Sequence, residues 1–598
     1  MTEDQQESLG RTFGLKLPVG RRAVLRSSAL GLGGIAAAAL IGCGGDDEGG
    51  ADTATGTGGT AAPAAGEGML VKDADQPYPY QFPEPAGKTP KDGGTMVVAV
   101  SWEVATMDPT KSAAGGTITV PNVSYERLLE WVQGPKADPY KVEMRPGLAT
   151  SWERSPDGLS YTFKIRPGVK WHNVAPMNGR PFVAADAKFA YERYAKEGVH
   201  QSLWTELDKI ETPDDATLKF TLKRPLVDFI TPLAGRYQTI FPKELVDSGE
   251  IEKKVVGTGS MIFKEAKTGQ EVTFAKNPDY WQGKVHLDAF TFRIQPDLQA
   301  RLAAFRAGQI DYAYGITSKL SETQAVEKSN PGVQISQTAP TAGGYGFGMN
   351  LQNPKFKDER VRRAIGLSMD HQTTVQLLFE GSGVVLPNSP WAFHLTKAPD
   401  YKKGELGPYT KAQGDPTEAK KLLEAAGQKD LKIDATYYTY AGQDSTRPEL
   451  MTDQFRKSGI TLNARKVDYT EFNSQWVGGK LAEATTSGWA AVGFDADNYF
   501  YNQVYSKSPG NRWHIEDTQI DEWALAQRFE LNPEKRKELM KKIWDRDLDM
   551  MYRIPQAGPT AFDVLQPWLR GWRSSGPLGT TSYFYDWGAQ LHSVWLDK

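Results

Sequence analysis

A single cysteine in 598 residues, Cys43, sets the first limit on what this chain can fold into. One thiol cannot close an intrachain disulfide or build a Cys-only zinc or iron–sulfur site. The fold must therefore be held by buried apolar surface. That surface is plentiful, with 39% hydrophobic residues, 16 Trp and 24 Tyr. Length predicts about three to five structural units at the usual ~100–200 residues each. The formal net charge is −3 and the pI about 6.3. Such a balance exerts no general pull toward nucleic acid or an anionic membrane surface.

The place of Cys43 matters as much as its solitude. Arg21, Arg22 and Arg26 precede an uncharged run from Ser27 to Gly42. The run is shorter and weaker than the ~20 strongly apolar residues of a spanning helix. A basic start, an apolar middle and a small-residue exit fit a secretory signal. Arg21-Arg22 before Ala23-Val24-Leu25 resembles the twin-arginine export motif, and Leu40-Ile41-Gly42-Cys43 resembles a bacterial lipobox. Residues 1–43 are read as a signal peptide cleaved before a lipidated Cys43, the alternative being an uncleaved transmembrane anchor. The export route, twin-arginine or general, stays open. Residues 44–68 carry hardly any large apolar side chain and cannot offset their ordering entropy. With the Pro- and Lys-rich stretch 69–92 they form a tether over 44–92. The folded body is expected to begin near Gly93-Gly94-Thr95.

The body alternates strand and helix signals. Thr95–Val100 is a β-branched run after two glycines, and Leu159–Ile165 and Thr217–Leu222 alternate with period two. Val272–Phe274 and Phe290–Ile294 are further strands. Phe189, Ala190, Tyr191 and Tyr194 fall at helical spacing within 184–194. Residues 297–307 read as a helix ending at Gly308. Asp415 is placed to cap a helix that begins at Pro416 and stops at Gly427. Leu422, Leu423 and Ala426 are its expected buried stripe. Interleaved elements of this kind make an α/β or mixed α+β protein.

Several segments, taken in order, resemble the family 5 extracellular solute-binding proteins, the dipeptide/oligopeptide-binding type that serves ABC importers. They are Thr106-Met107-Asp108-Pro109, Tyr125-Glu126-Arg127-Leu128-Leu129, Leu148 to Glu153 with Asp157-Gly158, Tyr161-Thr162-Phe163, Arg166 to His172 and Asn178 to Asp186. Gly257-Thr258-Gly259, Asn277 to Trp281 and Phe356 to Ala364 follow. The resemblance covers nearly everything from Gly93 to Trp587. Most of these residues are expected to build the fold: Trp152, Tyr161 and Trp171 as core, Gly158 and Gly168 in turns, Arg360 and Arg362 with Asp358 as an ion-pair cluster.

The resemblance implies an α/β periplasmic-binding-protein-like fold, two lobes with a cleft between them, closing on ligand about a hinge. Hinge closure of periplasmic binding proteins is a standard example of domain motion. It implies three regions: lobe 1 from 93–124, 225–335 and 564–598; a small inserted domain at 125–224; and lobe 2 from 336–563. It implies an exported, lipid-anchored monomer facing the periplasm or cell exterior that delivers solute to an ABC permease. No metal or other cofactor is implied.

For the ligand, the resemblance points to a Gly-Trp wall in lobe 2, here Gly488-Trp489-Ala490-Ala491-Val492, with Asp495 beyond it. In peptide-binding relatives an Asp three residues after the Trp takes the peptide amine. Here Val492 stands there and cannot pair with an ammonium. Asp495 or Asp497 could substitute; otherwise the ligand brings no free amine. Ala557-Gly558-Pro559 occupy a stretch where peptide binders often carry tyrosines. Gly115 and Gly116 are the expected opposing wall, where glycine lets backbone approach a ligand. Trp391 and Trp489 are candidate stacking platforms. The ligand is thus a peptide, an oligosaccharide or another polar solute. A ligand sensor on the same fold and a secreted hydrolase are the rivals. Against the hydrolase stand the absence of a His-Glu-x-x-His or Gly-x-Ser-x-Gly pattern.

Overall fold

The structure is a computed structural model, and it describes residues 71–72, 79–81, 87–111, 115–132, 143–199, 201–313, 319–338, 346–438, 446–488, 495–572 and 587–598. The fold is a two-lobed α/β arrangement. Lobe 1 is built on a seven-stranded sheet. Its spatial order is Met261–Lys267, Glu271–Lys276, Ala289–Ile294, Thr95–Val100, Tyr312–Ala313, Ala561–Leu565 and Gln334–Thr338. Thr95–Val100 lies mid-sheet and runs parallel to both neighbours. Covered on both faces, it loses the alternation of a half-exposed strand: Met96, Val98, Ala99 and Val100 are all buried. Met96 and Val98 enter the main core of the lobe, while Ala99 enters a separate cluster with Phe305, Val326 and Val564.

A four-stranded antiparallel sheet adjoins the main core, in the order Ala149–Arg154, Ser160–Ile165, Thr217–Leu222 and Leu207–Asp214. Tyr161, Phe163 and Ile165 point inward, as the period-two pattern predicts. The helix Ala184–Glu197 lies on this sheet through Ala187, Ala190, Tyr191 and Tyr194. Gly158 and Gly168 sit in turns at φ +71° and +79°, where a side chain would be strained.

Lobe 2 packs a core of its own. Its sheet runs Gly346–Met349, Ala484–Gly488, Lys432–Tyr437, Thr461–Lys466. The helix Pro416–Ala425 starts as its sequence dictates, with the Asp415 carboxylate accepting from the Glu418 amide. Its buried stripe is Ala419 and Leu423, one turn apart; Leu422 and Ala426 are only half-buried at the margin. Asp415→Ala is expected to cost about 1 kcal/mol, the usual value of an N-cap, as a lower midpoint in urea denaturation. Of the expected ion-pair cluster, Arg360 does pair with Asp358. Arg362 instead turns inward and donates to the Phe356, Lys357 and Met550 carbonyls.

Contacts begin before Gly93. Lys88 and Lys91 both pair with Asp597, and Val71–Lys72 lies antiparallel to Pro79–Gln81. At the other end the chain returns from lobe 2 to lobe 1 between the strands Gln556–Gly558 and Ala561–Leu565.

Segments far apart in sequence meet inside lobe 1. The buried Glu126 carboxylate accepts from Thr258 Oγ1 at 2.6 Å, Tyr280 OH at 2.8 Å and Trp281 Nε1 at 2.8 Å. Burial pushes this carboxyl up to about 7, and Glu130 adds to the shift. His172 is locked between two glycines: its Nδ1 accepts from the Gly257 amide and its Nε2 lies 2.9 Å from the Gly259 carbonyl. Burial holds this imidazole down at about 4, so it is neutral near pH 7. A Cβ at Gly257 would fall 1.9 Å from the Ser124 carbonyl oxygen, so only glycine fits. Asp108, fully buried, takes both Arg193 Nη atoms at 3.0 and 2.7 Å. The segments that carry the family resemblance are in large part the polar joints of this lobe.

Candidate functional site

The strand Ala484–Gly488 brings Gly488 opposite Gly346 in its antiparallel ladder. Gln556 lies directly over Gly346, where a Cβ would meet its Cγ at 1.8 Å. Gln556 and Ala557 in turn line a small cavity with Met369, His371, Thr374, Arg447, Leu450, Met451 and Gln454. Arg447 Nη1 donates to the Ala557 carbonyl at 2.9 Å, and its guanidinium lies over Phe379. Two stretches singled out on sequence grounds, the Gly488 wall and Ala557-Gly558, are therefore joined through Gly346 and Gln556.

Cys43, Trp489, Ala490 and Val492 lie outside the described residues. Asp495 is described and half-buried. One of its carboxylate oxygens accepts from the Asn498 amide at 2.7 Å. Burial, with Asp228 and Asp497 close by, pushes its carboxyl up. Asp497 is engaged elsewhere, 3.0 Å from Arg528 Nε and 3.2 Å from Gln527 Nε2.

Gly115 opens the short helix Gly115–Thr119 in lobe 1, and Gly116 follows it. The close approach that Gly116 permits is to the chain itself. A Cβ there would sit 2.1 Å from the Glu103 carbonyl oxygen. Trp391 is 3% exposed and belongs to the lobe 2 core. Its indole forms part of the interior in this conformation, and it does not line the small cavity.

Sequence reasoning passed over Asp228, Arg447, Arg528 and Arg536. Arg536 had a readable signal: on its helix it shares the buried face with Met540, Ile543 and Asp547. An arginine in register with apolar residues must find a partner inside. Arg447 follows a stretch with no such periodicity, and only the fold brings it to Ala557.

The family description "bacterial extracellular solute-binding proteins, family 5 Middle" matches residues 143–511, more than half of the chain. Heme-binding protein A of Haemophilus influenzae is 27% identical over 493 residues, covering 77% of this chain and 86% of that protein. Probable di/tripeptide-binding protein 5 of Pseudomonas aeruginosa is 26% identical over 498 residues, covering 77% and 89%. Among solved structures, the ABC transporter-associated periplasmic binding protein DppA from Helicobacter pylori, in complex with peptide STSA, superposes with a TM-score of 0.70. It is 24% identical and covers 85% of this chain and 99% of that one, a likeness of fold. Among the described residues no helix is long and apolar enough to cross a membrane.

Proposed function

Because this chain belongs to family 5 of the bacterial extracellular solute-binding proteins, we propose that it is the lipid-anchored substrate-binding component of an ABC importer. It holds a peptide or similar polar solute between its lobes and delivers it to the permease. Cys43 is its lipid attachment point; several acyl chains at about 0.8 kcal/mol per buried CH₂ hold it on the membrane. It acts as a monomer with no cofactor. Gly115, Gly116, Gly488, Trp489, Ala490, Val492, Asp495 and Trp391 are the residues assigned to the ligand. Trp391 is the one whose burial asks for a side-chain movement before contact.

The observation that carries this reading is the pair of separately packed cores, linked where the chain passes from Gln556–Gly558 to Ala561–Leu565. Two lobes that each pack their own core can enclose a solute and exclude water, which strengthens every polar contact inside. The relatives named above bind heme or short peptides by their own descriptions.

Thermal unfolding of the full chain against a panel of short peptides, oligosaccharides and small polar solutes tests this. A true ligand present at a hundred times its Kd stabilises the folded chain by about 2.7 kcal/mol. A shift with free peptides supports the reading and makes Asp495 the first residue to replace. A shift with sugars alone makes the chain an oligosaccharide binder on the same fold. No shift with any class counts against solute capture.

A further inference from the structure

Besides the Ser321–Glu380 contact, the two lobes meet in a built contact that includes Asp497, close to Asp495. Asp228 belongs to lobe 1, between Leu226 and Phe229 of its core. Arg536 belongs to lobe 2, on the helix Pro533–Met550 one turn before Met540 of that core. Arg536 Nη1 donates to Asp228 Oδ1 at 3.0 Å, and Nη2 donates to Asp228 Oδ2. The two side chains are only 11% and 13% exposed. The same Asp228 Oδ2 accepts from the backbone amide of Asp497 in lobe 2 at 3.0 Å. The neighbouring Val227 amide donates to the Arg528 carbonyl at 3.3 Å.

The arginine is held from behind. Its Nε donates to the Gln527 carbonyl at 3.1 Å and its Nη2 to Gln527 Oε1 at 3.1 Å. Gln527 and Arg528 both reach Asp497. Apolar contact surrounds the charges. Leu531 of lobe 2 lies against Gly158 of lobe 1, and the Arg224 guanidinium covers the Phe529 ring.

We infer that the Asp228–Arg536 pair is an interlobe latch, a set of positioning residues that raises the population of the closed form and thereby ligand affinity. A bidentate guanidinium–carboxylate pair is geometrically specific, so it forms only when the lobes meet in this one arrangement. In an opened molecule both charges regain water, and the bonds from the Asp497 amide to the Asp228 carboxylate and from the Val227 amide to the Arg528 carbonyl are lost. Replacing either charge removes the fork from the closed form and takes nothing from the open one, where both groups are solvated, so the balance moves toward open. A ligand that needs the closed form then binds more weakly by the fraction of closed molecules lost.

The latch concerns the motion and not the ligand, so it can be tested on the ligand-free full chain, and its failure leaves the proposed function standing. Small-angle X-ray scattering reads the opening. Amide hydrogen exchange at Val227 and Asp497 reads the contact itself, with Val98 and Ile433 in the two sheets as references. Asp228→Asn is expected to enlarge the radius of gyration and speed exchange at Val227 and Asp497 by about tenfold or more, leaving Val98 and Ile433 unchanged. Asp228→Glu keeps the charge and is expected to recover part of the loss. Should Asp228→Asn fold poorly, Arg536→Lys, which keeps the charge and loses the fork, is expected to give the same local acceleration. Unchanged scattering and exchange overturn the latch. So does acceleration that spreads to Val98 and Ile433, which would make the pair a support of the whole fold.

Discussion

Glu126→Ala is expected to destabilise the protein by about 4 kcal/mol, whereas Glu126→Gln costs about 1 kcal/mol or less, both measured by urea denaturation at pH 7. The alanine strands three donors at once: the buried Thr258 and Tyr280 hydroxyls and the indole N–H of half-buried Trp281. Each loses its carboxylate partner, at about 1–3 kcal/mol apiece for a buried donor and less for half-buried Trp281. Glutamine can serve all three. Its oxygen faces Thr258 and Trp281, which share Oε2, and its NH₂ faces Tyr280, whose hydroxyl can accept. The raised pKa sharpens the comparison. Folding lifts this carboxyl from 4.5 to about 7, so the folded state holds the proton more tightly than the unfolded chain. Its linked contribution favours folding below about pH 4.5 and is lost as pH rises through about 7. The glutamine variant lacks that dependence, so wild type gains on it as pH falls from 7 to 5. Equal damage from glutamine and alanine would mean that Glu126 must be an anion, and this account of the joint would fail.

That joint also shows what a sequence can carry. Ser160–Ile165 was readable because period two is imposed by the pleat, whatever the strand packs on. The cap at Asp415 was readable because an N-cap acts within three residues. Glu126 lies within Tyr125-Glu126-Arg127-Leu128-Leu129, yet nothing near it points to Thr258, Tyr280 or Trp281, which lie 132, 154 and 155 residues away. Arg362 looked like a partner for Asp358 because they share a helix start; the fold gave it three carbonyls instead. At the candidate site the same limit holds. Gly488 was named from its segment, but its link to Ala557 runs through Gly346 and Gln556, an adjacency set by sheet register. Asp228 and Arg536, 308 residues apart, carry no local sign of each other.

Arg553→Met is expected to be about as damaging as Glu126→Ala, at about 3–5 kcal/mol, because it leaves a charge buried without its counter-ion. Arg553 is 1% exposed. Its Nε donates to Asp547 Oδ2 at 2.7 Å, Nη1 to Gln503 Oε1 at 3.2 Å and Nη2 to Ser389 Oγ at 2.7 Å. The Arg553 amide donates to Asp547 Oδ1 at 3.1 Å. One side chain thus fastens the end of the helix Pro533–Met550 to Ser389 and to the segment holding Gln503. Burial pushes the Asp547 carboxyl up, and only Arg553 pulls it back. Replacing Asp547 as well, by leucine, removes the stranded charge, so the double variant is expected to recover about half or more of the loss. A double-mutant cycle in urea checks this: additive losses would show that the pair is not coupled. The consequence reaches the site, since Arg553 stands three residues before Gln556, whose strand carries Ala557 to the Arg447 cavity. The double variant repairs the charge but not the anchor to Ser389, so its recovery is expected to stay short of wild type.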